Sequence, residues 1–264
     1  VVHVSNAAGF GFFDGRNMKF ETEKLSKMGV KETWLPEVCT GIEKLGLYRN
    51  RQVTTAIGDN QASFLGAAGK EENTLLVNMG TGGQISILSD QYFAEKGIEA
   101  RPFLDGKYLL VGSSLCGGKS YALLEQFFRR VVKAVTGEDS SLYPVMEQFA
   151  KTGKEQSNRI SEDRKLKIRT TFDGTRTDPK SSGSIQGLTS DNFTPEAFTY
   201  GILEGMGDEL YQMYRTIKNG TGIQIKNLIG SGNGVRKNPV FCEMLEELFQ
   251  NKLVLSAYKE EAAA

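Results

Sequence analysis

The sequence predicts an α/β fold in two units, and three observations carry that prediction. Short β-type runs alternate with amphipathic segments along the 264 residues, the pattern of helices laid on a sheet. The 30 glycines gather at a few loops, notably 80–83, 117–118, 201–207 and 230–234, where a ligand or packed backbone comes close. A charged segment, Lys70-Glu71-Glu72-Asn73, separates residues 1–69 from residues 70–264 and marks a domain boundary.

Taken in order, residues 1–5 and 9–13 read as strands, with Asn6-Ala7-Ala8 in the turn between them. Residues 21–27 read as a short helix, because Leu25 and Met28 share a face and charges occupy the other. Trp34 opens a proline-stopped connector and is expected to pack rather than to bind. The apolar-leaning run 53–57 leads to a turn holding Asp59, then to a small-residue helix over 62–69. In the second unit, runs at 74–78 and 84–88 form a hairpin around Gly80-Thr81-Gly82-Gly83. A strand at 108–111, a loop at 112–118 and a helix at 121–132 follow, with Leu124, Phe127, Phe128 and Val131 on one helix face. Another helix is expected over 140–152, and a long polar loop over 170–188. Thr194 and Pro195 are the N-cap and first-turn proline of a helix reaching about residue 217. A strand over 226–229, the loop 230–234, a helix from Pro239 to about Phe249 and a strand over 253–256 complete the pattern.

Composition narrows the function. Lys plus Arg and Asp plus Glu balance at 32 each, so no overall field favours nucleic acid, a membrane surface or a polyanion. No apolar stretch approaches the roughly 20 residues that span a bilayer, and no signal peptide is expected. Cys39, Cys116 and Cys242 are scattered and form no CxxC, which predicts free thiols in a reducing cytoplasm. His3 is the single histidine, which excludes an HExxH zinc site and argues against a Ser-His-Asp triad. The chain opens without methionine inside a β-like run and stops in Glu260-Glu261-Ala262-Ala263-Ala264, which reads as the first turn of a helix; a fragment is expected.

Two segments carry the chemistry. Gly58-Asp59-Asn60-Gln61 sets one carboxylate beside two amides, a set suited to a general base acting on a polyol hydroxyl; the plainer reading is a turn or cap residue. Gly80-Thr81-Gly82-Gly83 can wrap backbone N–H groups around a phosphate, or can be a plain hairpin turn. The loop 230–234, ahead of the helix at Pro239, is a second anion-type loop, with Asn238 placed to cap that helix or to touch a base. It fails as a GxGxxG fingerprint because position 235 is Val235. The segment ending in Gly118-Lys119-Ser120 fails as a P-loop because position 113 is Ser113, which leaves Lys119 as a surface cation. Arg176 and Asp178 read as an ion pair within an exposed loop, Glu204, Asp208 and Glu209 as a solvated helix face, and 151–169 as a solvated connector. Hydroxyl base and phosphate loop together point to phosphoryl transfer onto a sugar.

Four features in order resemble the FGGY carbohydrate kinases: Gly58-Asp59-Asn60-Gln61-Ala62; Gly80-Thr81-Gly82; Phe172, Gly174, Arg176 and Pro179 followed by Gly183 and Gly187-Leu188; and Gly230-Ser231-Gly232 leading to Asn238-Pro239. Among subfamilies, the segments at 58–66 and 230–239 look most like sedoheptulokinase-type members. The resemblance implies an actin-like, ribonuclease-H-like architecture, two domains around a cleft, with the first incomplete. It implies Asp59 as general base, Asn60 and Gln61 as sugar contacts, Gly80, Thr81 and Gly82 along the ATP phosphates, and Gly118, Gly230, Ser231, Gly232 and Asn238 around the nucleotide. ATP with Mg²⁺ would be the phosphoryl donor and a sugar such as sedoheptulose or another ketose the acceptor; a homodimer is one assembly open to it, dimers being common among soluble enzymes. The family's Asp-x-Gly-Thr phosphate hairpin is absent from these residues, so this piece alone is expected to be inactive or nearly so. A non-catalytic nucleotide-binding module with the same fold is the alternative.

Overall fold

The computed structural model describes residues 1–95 and 97–258. The helix expected from Glu260 onward lies outside the described residues.

Residues 1–58 form three two-stranded ribbons. β1 (Val2–His3) precedes α1 (Val4–Ala7), β2 (Phe13–Asp14) pairs with β3 (Lys19–Phe20), and α2 (Thr22–Lys27) follows. β4 (Val38–Cys39) lies parallel to β1, while β5 (Lys44–Tyr48) and β6 (Arg51–Thr54) form an antiparallel hairpin whose residues are all exposed. Ala7, Phe20 and Leu25 make a small core of their own. The strand expected over residues 1–5 stops at His3, because its ring accepts the Ser5 amide and caps a helix that takes in Asn6 and Ala7. Trp34 does not pack: it is 66% exposed, with the Lys31 ammonium 5.8 Å from its ring centroid.

α3 (Asp59–Ala68) begins three residues earlier than expected, so Asp59 is its first residue rather than part of a preceding turn. Beyond it come β7 (Thr74–Met79), β8 (Gly83–Ser89), β9 (Ile98–Pro102), β10 (Tyr108–Ser114), α4 (Gly117–Thr136) and α5 (Tyr143–Ser157). The remainder is β11 (Lys167–Arg169), β12 (Ser184–Gln186), α6 (Pro195–Thr221), β13 (Asn227–Ser231), α7 (Asn233–Arg236), α8 (Pro239–Phe249) and β14 (Leu253–Leu255).

Six strands form one mixed sheet in the order β14-β13-β7-β8-β10-β9. β7, β8, β10 and β9 are joined antiparallel, whereas β13 runs parallel to both β7 and β14. Alternate residues of β7 feed opposite faces. Leu75, Val77 and Met79 pack with Leu203, Leu210 and Ile217 of α6, which recur every seventh residue along one side of that helix. Leu76 points the other way, into a second core with Phe64 of α3 and Phe103, whose rings meet edge-on at 5.9 Å. α3 thus packs on the sheet, and the boundary expected between residues 69 and 70 falls between that helix and its platform.

The α6 cap forms as expected, with the Thr194 hydroxyl accepting the Ala197 amide, and Gly222 ends the helix at φ +77°. Three boundaries differ from the sequence reading. β10 runs on to Ser114, paired with Gly83 of β8, so most of the expected loop 112–118 is strand or helix. α5 starts at Tyr143 with Pro144 in its first turn, rather than at residue 140. The polar loop 170–188 and the connector 151–169 contain the β11–β12 hairpin, paired from Lys167–Gln186 to Arg169–Ser184. On α4, Leu124 reaches the core, but Phe127 is 61% exposed, so the expected apolar face is only partly covered.

Candidate nucleotide site

The β7–β8 turn, the start of α4, α5, α6 and the loop after β13 enclose a cavity of about 840 Å³. The turn is fixed by α4: the Gly118 and Lys119 amides donate to the Gly80 and Thr81 carbonyls at 3.1 and 3.0 Å. A Cβ on Gly118 would stand well inside 3.0 Å of the Gly80 carbonyl oxygen, so only glycine allows this approach. Beside the same turn Gly232 takes φ +81°, and a Cβ there would meet the Met79 carbonyl at 2.5 Å. Both loops leave the carboxyl ends of parallel neighbours, β7 and β13, where α/β sheets hold ligands.

Asn238 does what its position predicts: its Oδ1 accepts the Phe241 amide at 3.1 Å and caps α8. It also lines the cavity. The Tyr121 and Tyr143 rings stack at 5.9 Å with 21° between planes, and burial pushes both phenols above their ordinary pKa. Lys119 also lines the cavity, its Nζ 2.7 Å from Asp173. That contact holds the ammonium pKa up and the Asp173 carboxyl down.

Gly80, Thr81, Gly118, Gly232 and Asn238, all expected at a nucleotide, therefore come together on one cavity. Gly82 sits behind it, close to the Ser114 carbonyl, and Gly230 and Ser231 are buried in β13, where the Ser231 hydroxyl has no partner. Tyr121, Tyr143 and Glu147 were not legible as site residues, because Tyr121 comes from α4 and the other two from α5, brought together only by packing. The Gly-Lys-Ser run did draw attention to Lys119, but its loop length made a surface cation of a residue that lines the cavity.

Asp59, Asn60 and Gln61 stand apart from that cavity's lining, at the start of α3. Asp59 is exposed, and its Oδ1 accepts the Asn60 amide at 2.7 Å. The Asn60 Oδ1 is buried without a partner, whereas the Gln61 amide is buried and donates to the Pro102 carbonyl at 3.0 Å. A chain of contacts positions the Asp59 loop from below. The Gly58 amide donates to the Ser5 hydroxyl at 2.9 Å, and Ser5 lies 2.7 Å from the His3 Nδ1. The far ring nitrogen of His3 reaches the Thr40 carbonyl at 3.2 Å. Burial lowers the pKa of His3.

Two expectations about charge are corrected. Glu204 and Glu209 are not on a solvated face: burial raises both carboxyls, Glu204 to about 7, and the Ser114 hydroxyl donates to Glu209 at 2.8 Å. Asp208 alone of the three is exposed. Arg176 pairs with Glu99 at 3.1 Å rather than with Asp178, whose backbone and side chain serve the turn at 175–181. Among the described residues no three His, Cys, Asp or Glu side chains converge as a metal site, and no helix is long and apolar enough to cross a membrane.

The fold and cavity define a mixed α/β domain with a glycine-walled pocket at the carboxyl ends of parallel strands. Residues 75–264 match the FGGY family of carbohydrate kinases, C-terminal domain, and the chain belongs to that family. It is 24% identical over 266 residues to sedoheptulokinase of Mus musculus, covering 92% of this chain and 53% of the mouse protein. It is 26% identical over 258 residues to glycerol kinase of Bacillus licheniformis, covering 90% and 48%. Among solved structures it shares the fold of a xylulose kinase from Rhodospirillum rubrum, with TM-score 0.79 and 18% identity over 99% of this chain and 53% of that one. It also shares the fold of a Plasmodium falciparum glycerol kinase with ADP, with TM-score 0.77 and 20% identity over 99% and 52%. The chain thus spans about half the length of these relatives.

Proposed function

We propose that this chain carries the nucleotide site and the catalytic carboxylate of an ATP-dependent kinase acting on a sugar or polyol hydroxyl. The observation that carries the reading is the cavity itself: a glycine turn locked to a helix start and a stacked tyrosine pair line the same space. That arrangement suits a polar phosphate tail and a flat apolar base, and its size is ample for a nucleotide. Gly80, Thr81 and Gly118 would lie along the phosphates, with Gly232 and Asn238 near the nucleoside. ATP supplies the γ-phosphoryl group, and Mg²⁺ would travel with its phosphates. The sheet order, with an antiparallel β7–β8–β10 meander flanked by parallel β13 and β14, supports the actin-like assignment and hence a cleft between two domains.

Asp59 would take the proton from the acceptor hydroxyl, and its exposure in the structure leaves its outer oxygen open to substrate. The unpartnered Asn60 carbonyl beside it would accept a second hydroxyl of the sugar. Gln61, already engaged with Pro102, would steady the start of α3 more than grip the sugar. A ketose such as sedoheptulose is the acceptor we favour, on the strength of the match to the mouse enzyme. The test is ADP release by the full-length protein with MgATP and a panel of glycerol, xylulose, ribulose, gluconate and sedoheptulose. Asp59→Ala should lower kcat by about 10²–10⁴-fold while leaving ATP affinity largely unchanged. Unaltered turnover in that variant would remove Asp59 as the base. No turnover on any sugar, with ATP still bound, would favour a non-catalytic nucleotide module.

A further inference from the structure

We infer that Lys119 is a phosphate-binding cation of the nucleotide site, held in reserve by Asp173 until nucleotide arrives. The inference rests on the nucleotide reading of the cavity and adds a residue that the glycine motifs do not include. Lys119 is the cation that the cavity places beside Gly80, Thr81 and Gly118; Lys237 belongs to the loop after α7, on the wall formed by Gly232 and Asn238. Its backbone is anchored to the turn through the bond from its amide to the Thr81 carbonyl at 3.0 Å. Its side chain leads to Asp173, in the segment between β11 and β12, at 2.7 Å.

The strength of that pair decides what it can do. The two side chains are 42% and 41% exposed, so water screens the attraction and the pair exchanges readily. A diphosphate beside the turn presents more than one negative charge, and an ammonium on a flexible stem serves such a group as a movable point charge. Nucleotide phosphate would therefore take Lys119 from Asp173 and free the 172–179 segment from α4. Removing Lys119 costs phosphate affinity, whereas removing the Asp173 charge frees Lys119 and raises it. A merely structural ion pair would give losses of the same sign on both sides.

The experiment is calorimetric titration of the full chain with MgADP and, separately, with adenosine, for the wild type, Lys119→Met and Asp173→Asn. Lys119→Met should weaken ADP about tenfold and leave adenosine within about twofold. Asp173→Asn should tighten ADP about two- to fivefold, again without moving adenosine. An unchanged ratio of ADP to adenosine affinity in Lys119→Met would overturn the role of Lys119 while the nucleotide site stands. Weaker ADP binding by Asp173→Asn would overturn the reserve and leave a structural pair. If the wild type binds neither ligand, this inference and the nucleotide reading fall together.

Discussion

Gly118→Ala tests the junction between the 80–83 turn and α4. The new methyl group would fall well inside 3.0 Å of the Gly80 carbonyl oxygen, closer than real Cβ atoms come. Backbone, not a flexible side chain, stands in the way, so the turn must retreat by about 1 Å in a closely packed region. The retreat stretches the bonds from the Gly118 and Lys119 amides, now 3.1 and 3.0 Å, beyond useful length. Each lost backbone bond is worth about 1 kcal/mol net, and overpacking adds about 1–3 kcal/mol. Against this stands the gain of up to about 1 kcal/mol from alanine over glycine in a helix, reduced here because Gly118 is in the first turn. The expected result is a net loss of about 2–4 kcal/mol in urea unfolding, together with weaker ADP binding. Gly80→Ala is the control, because nothing lies within 4 Å of a Cβ there. It should leave stability within about 0.5 kcal/mol yet weaken ADP, since Gly80 lines the cavity. A Gly118→Ala protein as stable as wild type, with unchanged ADP affinity, would refute the close-approach argument.

Two further predictions concern pH. Burial raises the Glu204 carboxyl from 4.5 to about 7, against the pull of Lys165, with Glu162 and Asp208 adding to the rise and Lys167 opposing it. The folded state therefore holds that proton more tightly than the unfolded chain, and stability falls as pH rises from about 4.5 through 7. Glu204→Gln should be more stable than wild type by about 1–3 kcal/mol at pH 8 and level with it near pH 4, measured by urea unfolding at both values. His3 has the opposite sense: burial lowers its pKa below 6.5, so the folded state prefers the neutral ring. Its contribution is complete above 6.5 and is lost as pH falls through the window below that value. Between pH 7 and 5.5 the urea midpoint of wild type should fall relative to that of His3→Gln, on top of the opposite Glu204 contribution that both proteins share; identical slopes would show that His3 does not titrate on unfolding.

What the sequence made legible follows from how local each signal is. The helix of 27 residues at Pro195–Thr221 carries its own cap and its own proline, so its start was readable. The 80–83 turn was readable because glycine and threonine between two β-type runs leave few other structures. Residues 1–58 were harder. Two-residue strands such as Val2–His3 have no period to detect, and a single side-chain cap at His3 converts the following residues to helix. The Glu204 and Glu209 error has a similar source: helical spacing placed them together on α6, but their burial comes from Lys167–Arg169 and Ser114, distant in sequence. Trp34 was misread because its neighbours Val30 and Leu35, not the tryptophan, face the small core of Ala7, Phe20 and Leu25.

The cavity could be anticipated only in part because its walls meet through topology, not through sequence spacing. β13 reaches β7 after α6 has crossed the sheet, and the parallel pairing aligns Ser231 with Asn78. That register sets the 232–238 loop beside the 80–82 turn, although about 150 residues separate them in the chain. The same sheet carries Asp59, since Phe64 on α3 seats against Phe103 on the far face. Asp59 and the glycine turn are therefore both seated on one sheet. On the proposed kinase reading, a closing motion that excludes water during phosphoryl transfer would bring other elements toward the side formed by α3 and β7–β8.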